Sequence, residues 1–312
     1  KPGFDANRLA VHDGITSTNN YAELLADPDS PLVNKAISGS LYAPGSVFKV
    51  LVAAAAIESG KYTADSMLPN PVKFKLPGTN TFIQNSGEGK CGGRATVSIA
   101  DALKLSCNIP FAQLGIELGQ NAIREQAEKF GFGKTVEIPL RSTASVYPKN
   151  MDDAQTAMSA FGQFDVRVTP LQIAMMSAAI ANNGKIMKPN LIENVISANL
   201  SSLFAPAPQE YASPISANTA AAVRQMMIDA VERGVSSNAR IDGVTVAGKT
   251  GTAQNGEDDP YTLWFTGFAP AENPRVVVAV VIEDGGGRGQ NGRGNTLAAP
   301  VAKKVIQAVL RK

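Results

Sequence analysis

The chain has 312 residues, 44% of them hydrophobic and 18% charged, the balance of a globular protein with room for one large domain or two. Lys plus Arg number 29 and Asp plus Glu 27, which leaves a formal charge of +2 and no dense basic stripe, and so argues against nucleic acid as a partner. One histidine, His12, and two cysteines, Cys91 and Cys107, exclude a His-Glu-x-x-His site and a four-ligand zinc centre, and leave a Ser-His-Asp triad only the N-terminal His12 to draw on.

The first residues, Lys1 to Asp5, lack the apolar stretch of a secretory signal. The longest apolar runs, Leu51 to Ile57, Ile173 to Ala181 and Val276 to Ile282, fall far short of the ~18–20 residues that cross a bilayer. The chain reads as soluble, or as a trimmed portion of something anchored. The Ala-rich run Ser46 to Ser59, entered by Pro44-Gly45 and left by Gly60, predicts a buried helix. Pro69 to Arg94 reads as a loop. Thr96 to Leu105 and Pro110 to Leu118 predict two helices broken at Ser106-Cys107-Asn108, and Pro139 to Asp153 reads as another loop. Thr169 is placed to cap a helix that Pro170 opens and Asn183-Gly184 closes. Asn199 to Pro208 reads as a flexible excursion, and Ser216 to Arg233 as a further helix ended by Gly234. Val244 to Ala247, Thr262 to Phe268 and Arg275 to Glu283, rich in β-branched and aromatic residues, predict a β-meander. The glycine-rich Gly285 to Gly294 follows as a loop, and Leu297 to Leu310 as a helix whose basic end, Arg311-Lys312, suits its dipole. Helices first, strands late and a terminal helix predict an α+β fold in which helices cover an antiparallel sheet.

Three segments can carry chemistry. Ser46-Val47-Phe48-Lys49 sets a hydroxyl and an amine one helical turn apart at a helix start, where free N–H groups stabilise an oxyanion and disfavour a second positive charge. Lys49 is thereby pushed toward the neutral form, in which it acts as a base; the alternative is a plain serine cap. Ser106-Cys107-Asn108 presents a second hydroxyl and a carboxamide from a turn, unless Asn108 only caps the following helix. Ala247-Gly248-Lys249-Thr250-Gly251-Thr252 lies at the end of a predicted strand, with glycines that admit a second backbone, or is a simple β-turn.

Together, Ser-x-x-Lys, Ser-x-Asn and Lys-Thr-Gly in this order form the set found in class A β-lactamases and penicillin-binding proteins. With Pro44 to Lys49, Leu105 to Asn108, Phe161-Gly162-Gln163, Thr169 to Gln172, Ala247 to Gln254, Trp264 to Pro270 and Ala298 to Val301, the sequence resembles the transpeptidase domain of class B penicillin-binding proteins over nearly its whole length. The resemblance implies one transpeptidase domain over residues 1–312, with an antiparallel sheet covered on both faces and an all-helical subdomain. It also implies that a strand pair, a non-catalytic domain and a membrane anchor belong before Gly3-Phe4-Asp5, and that the parent protein works on the extracytoplasmic face of a bacterial membrane.

It further implies that Ser46 attacks the carbonyl between the last two D-alanines of a peptidoglycan stem peptide, and that the acyl group passes to the amine of a neighbouring stem. Lys49 is then the base, Ser106 relays a proton to the leaving amine, Asn108 orients Lys49 and the substrate amide, and Lys249 sets the proton balance at Ser106. The hydroxyls of Thr250 and Thr252, beside Gly251, suit the terminal carboxylate. The backbone N–H groups of Ser46 and Thr252 form the oxyanion hole. Val246 to Gly251 offers a strand edge to an extended peptide. β-Lactams acylate the same serine; no cofactor or metal is implied; a lipid-linked glycan polymerase and division or elongation proteins are partners through regions outside this chain. Two rivals remain. A serine β-lactamase needs a deacylation water, and the stretch from Asn108 to Lys249 is expected to lack the Glu-x-x-x-Asn element that holds it in class A enzymes; the other rival is a non-catalytic β-lactam sensor or division scaffold. In an extracytoplasmic domain Cys91 and Cys107 can close a disulfide worth ~3 kcal/mol; otherwise Cys107 is a packing residue and Cys91 a free thiol.

Overall fold

The computed structural model describes residues 3–87 and 89–311; Lys1 and Pro2, Glu88, and Lys312 of the expected basic helix end lie outside them. Helices run over Gly14–Ala26 (α1), Lys49–Glu58 (α2), Ile99–Lys104 (α3), Asn108–Leu118 (α4), Gln120–Lys129 (α5), Asp153–Ser159 (α6), Pro170–Ala181 (α7), Ala217–Glu232 (α8) and Gly294–Leu310 (α9). Strands are Met67–Pro69 (β1), Lys73–Lys75 (β2), Phe82–Gln84 (β3), Thr96–Ser98 (β4), Ile186–Met187 (β5), Val195–Ile196 (β6), Ser202–Phe204 (β7), Glu210–Ala212 (β8), Ala247–Ala253 (β9), Thr262–Ala269 (β10) and Val276–Ile282 (β11).

The main sheet is antiparallel in the order β11-β10-β9, with Phe265 of β10 opposite Val280 on one side and Thr250 on the other. Every residue of β10 is buried, so both faces of the sheet are covered. Alternation along the strand sends Phe265 and Ala269 to one face, against Ala298, Ala302 and Ile306 of α9. Trp264 and Phe268 go to the other face, where α7 and α8 pack. There the Ser177 and Thr266 hydroxyls share a hydrogen bond of 2.7 Å, which satisfies both in the core. Helix α2 is buried all round, from Lys49 to Ala56, as a helix apolar on every face must be. It forms the centre of a helical layer with α3, α4, α5 and α8. Each of its fully buried Val and Leu side chains contributes about 1.5–3 kcal/mol relative to exposure. Among the described residues no helix is long and apolar enough to cross a membrane.

Several expected boundaries move. Thr96–Ser98 is a strand paired with Met67–Pro69, not the first turn of a helix; Ser98 then caps α3 by accepting from the Asp101 N–H. Asn108 is the first helical residue of α4, not its cap. The Pro69 to Arg94 loop contains the β2–β3 hairpin, and the Asn199 to Pro208 excursion contains β7, paired with β6. The first meander strand starts at Ala247, after a bridge between Ile241 and Val244, and runs through the Lys-Thr-Gly segment where a strand end was expected. Gly251 and Gly248 stand opposite Trp264 and Gly267 there, and the ladder to β10 overrides the low strand preference of glycine. Helices α1, α5 and α6 lie outside the predicted helices, although Asp13 caps α1 and Asp152 with Gln155 forms a capping box at the start of α6. The cap at Thr169 and the Pro170 start of α7 stand where the sequence places them.

Candidate active site

Pro44 leads into a 3-10 turn, Gly45–Val47, that continues directly into α2. Ser46 is half-buried in this turn, while Val47, Phe48 and Lys49 are 0% exposed. The turn is clamped by two glycine backbones. Gly45 N–H donates to Gly162 O at 2.8 Å, and a Cβ on Gly162, whose φ is +79°, would stand 2.0 Å from Gly45 O. A Cβ on Gly45, φ +52°, would meet Thr252 O of β9 at 2.9 Å. The Ser46 turn is thus pressed between β9 and the Phe161-Gly162-Gln163 segment, an approach that only glycine allows.

Behind Ser46 four side chains converge. Lys49 Nζ donates to Ser106 O at 2.8 Å, to Asn108 Oδ1 at 2.8 Å and to Ser106 Oγ at 3.5 Å. Lys249, from the middle of β9, donates to the same Ser106 hydroxyl at 2.8 Å and to Thr250 O at 2.9 Å. Ser106 holds φ +60°, a left-handed conformation uncommon outside glycine, Asn and Asp, which brings its carbonyl and hydroxyl to the lysines. The structure therefore brings Lys49, Ser106, Asn108 and Lys249 into one cluster. Ser46 lies one turn before Lys49 and makes no hydrogen bond to it among the described residues.

Both lysines are 0% exposed, and among the described residues neither pairs with a carboxylate. Burial holds the Lys49 pKa well below the ordinary lysine range, and the Lys249 charge lowers it further. Burial alone brings Lys249 down to about 7. One hydroxyl shared by two easily deprotonated amines has the geometry of a proton path with a base at each end. His12, by contrast, is exposed.

The outer edge of β9 is less open than a bare strand edge. Residues 250, 252 and 254 turn their N–H and C=O groups away from β10. Ser236, fully buried, accepts from Thr250 N–H at 3.0 Å, and the Thr250 hydroxyl lies 3.3 Å from both Ser236 Oγ and Val235 O. The Gln163 carboxamide, turned to match donor with acceptor, pairs with the N–H and C=O of Gln254, both at 3.1 Å. Thr252 lies between these closures, half-buried, its hydroxyl accepting from Gly294 N–H at 3.3 Å. Thr250, expected to bind a carboxylate, has its hydroxyl engaged inward, so Thr252 is the more accessible of the two. Beyond Gln254 opens a polar cleft of about 910 Å³ lined by Tyr42, Lys35, Glu283 and Gln163, among others, but by none of the motif residues.

Cys91 and Cys107 are joined in a disulfide, with Cα atoms 5.7 Å apart, next to the Ser106 turn. Sequence reasoning missed Ser236 and Asn85, whose carboxamide oxygen accepts from the N–H groups of Asn108 and Ile109 at 2.8 and 3.0 Å. Neither sits in a recognisable pattern. One expectation is corrected: Glu117 and Asn121 do stand at Glu-x-x-x-Asn spacing. Glu117 lies near the far end of α4 from Asn108, about 14 Å along the axis at 1.5 Å per residue, and accepts from the Tyr62 hydroxyl at 2.7 Å. Asn121 accepts from Arg124 at 2.6 Å. The pair is remote from Lys49 and cannot hold a water beside Ser46.

The penicillin binding protein transpeptidase domain family matches this chain over residues 6–307. The chain is 38% identical, over 100% of its length, to the peptidoglycan D,D-transpeptidase PbpA of Mycolicibacterium smegmatis, and 37% identical, over 99%, to that of Mycobacterium tuberculosis; it spans 63% of the length of each. Among solved structures, the ceftriaxone acyl-enzyme complex of penicillin-binding protein A from M. tuberculosis superposes with a TM-score of 0.95 at 37% identity, over 99% of this chain and 70% of that one. The D,D-transpeptidase domain of a peptidoglycan glycosyltransferase from Eggerthella lenta gives 0.82 at 35% identity, over 94% and 70%.

Proposed function

Since the chain belongs to the penicillin-binding protein transpeptidase family, we propose that it is the catalytic unit, over residues 1–312, of a serine D,D-transpeptidase that cross-links peptidoglycan. The observation that carries this is the Ser106 hydroxyl held between two buried lysines behind Ser46. Ser46 Oγ attacks the carbonyl of the penultimate D-alanine and its proton passes to neutral Lys49. The resulting oxyanion faces the N–H groups of Ser46 and Thr252, each such donor being worth ~2.7–4 kcal/mol. Ser106 delivers the proton to the leaving amine, itself reprotonated from the lysine pair, and the terminal D-alanine departs. The amine of a neighbouring stem then attacks the ester carbonyl, its proton leaves by the same path, and Ser46 is regenerated as the new amide forms. Asn108 Oδ1 orients Lys49 throughout. A β-lactam opens its ring on Ser46 but keeps its amine tethered, and the ester persists because the cluster holds no carboxylate to activate water. Relatives that are peptidoglycan transpeptidases and β-lactam acyl-enzymes support this reading, under which the work is done on the extracytoplasmic face of the cell membrane.

Intact-mass analysis tests it. One covalent equivalent of penicillin on the Ser46 peptide, lost in Ser46→Ala, is expected; labelling at Ser106, or persisting in the variant, would overturn the assignment. Cross-linking of a donor and an acceptor peptide separates an enzyme from a sensor, and slow loss of the bound penicillin separates it from a β-lactamase.

A further inference from the structure

Helix α4 begins at Asn108 with a cysteine at its cap position, and that cysteine makes no side-chain hydrogen bond to the helix because its sulfur is in the disulfide. The first N–H groups of a helix need acceptors, normally supplied by a local Ser, Thr, Asn or Asp. Here the acceptor comes from 23 residues upstream. Asn85 Oδ1 accepts from Asn108 N–H and Ile109 N–H, and Gln84 O accepts from Asn108 Nδ2 at 3.1 Å, so the end of β3 grips Asn108 by both backbone and side chain.

Asn85 is in turn fully engaged: its Nδ2 donates to Asn70 Oδ1 at 3.0 Å and to Gly89 O at 3.2 Å. Asn70, 0% exposed, accepts also from Cys91 N–H at 3.2 Å and donates to Cys91 O and Arg94 O at 2.7 and 2.8 Å. All donors and acceptors of the two carboxamides are used, the condition under which a buried polar network rigidifies what it touches. The far end of the chain of contacts is Asn108 Oδ1, which receives Lys49.

We propose that Asn85, held by Asn70, is a positioning residue for acyl transfer, fixing Asn108 so that its carboxamide and the Ser106 turn meet Lys49. The proposal rests on the transpeptidase reading above. An orienting contact displaced by about 1 Å can cost ~10²-fold in rate.

The test is a double-mutant cycle read by the second-order rate of acylation with a fluorescent penicillin, with thermal melting measured alongside. Asn85→Leu, which cannot accept the two N–H bonds, is expected to lower the acylation rate of folded protein by about 10–100-fold. Asn85→Asp keeps the acceptor for the two N–H groups but turns its second oxygen on Asn70 Oδ1 and Gly89 O, so it is expected to lose less acylation than Asn85→Leu while melting below wild type. In an Asn108→Ala background, Asn85→Leu is expected to cost less than about threefold more, while it lowers the melting temperature in both backgrounds. Should Asn85→Leu not fold, Asn85→Ser, whose shorter arm does not reach the helix, takes its place in the same cycle. Acylation of Asn85→Leu within about threefold of wild type, equal losses in the Leu and Asp variants, or an additive cycle would each overturn the proposal. Wild-type protein that takes no label at all would overturn the transpeptidase reading itself.

Discussion

Replacing Lys249 with methionine removes a buried amine and keeps most of its apolar stem. In the wild type this side chain is 0% exposed and its pKa falls from 10.5 to about 7 because of burial. The unfolded chain keeps the proton up to its ordinary value, the folded chain only up to about 7. Below 7 both states are protonated and the cost of the buried ammonium stands in full. Between 7 and 10.5 the unfolded state binds more protons, so stability rises with pH through that window. A drop of about 3.5 pH units, at ~1.36 kcal/mol each, is on the order of 5 kcal/mol, gained at about 1.4 kcal/mol per pH unit. Lys49 acts in the same sense, and because Lys249 helps to depress it, the variant loses part of that contribution too. The buried Tyr147, raised to about 12, opposes the trend only once unfolded tyrosine ionises near pH ~10. The assay is urea unfolding followed by the fluorescence of the single tryptophan, Trp264, from pH 6 to 9.5. The difference in unfolding free energy, wild type minus Lys249→Met, is expected to climb by about 3 kcal/mol between pH 7 and 9.5. A difference that does not change with pH would refute the assignment of a depressed pKa to Lys249.

Lys49→Arg should lose acylation although its charge is kept, since guanidinium does not give up its proton at working pH; near-wild-type labelling rates would move the base elsewhere. Breaking the Cys91–Cys107 link by Cys91→Ser with Cys107→Ser should cost ~3 kcal/mol of stability by the loop-closure relation, measured by urea unfolding, and two free thiols in unreduced, denatured wild type would contradict the bridge. Gly162→Ala, which drives a methyl toward Gly45 O while straining its own backbone, should destabilise by several kcal/mol, about the upper range for single substitutions. It should also depress acylation; a normal melting temperature would show that the turn relaxes freely.

What the sequence disclosed follows from how local each feature is. The start of α7 was legible because Thr169 and Pro170 act on their own helix, and β10 and β11 because their side chains need little context to prefer a strand. The three motifs were legible as a set, each being short and contiguous. β9 was misplaced because its glycines are strand residues only when β10 lies beside them. β4 reads as helix in the sequence because its partner, Pro69 opposite Thr96, is distant in the chain. Asn85 and Ser236 were invisible for a related reason: a lone polar side chain in a loop acquires its role from the N–H groups that folding carries to it. The Glu117–Asn121 spacing shows the converse, a pattern present in sequence that the helix places out of reach.

The closures along β9 bear on how a peptide is measured out. A glycine-rich strand such as β9 specifies register only weakly by itself, so an incoming chain could slide along a bare edge of it in two-residue steps. Here Ser236 has taken the rung at Thr250 and Gln163 the rung at Gln254, which leaves Thr252 as a solitary notch between two stops. Under the transpeptidase function proposed above, an extended stem peptide that engages β9 has one alignment available, and that alignment sets which of its carbonyls comes to rest over the Ser46 turn. On that reading the molecule counts residues from a fixed point on its backbone, and the bond to be cut is chosen by position along the chain before any side chain is inspected.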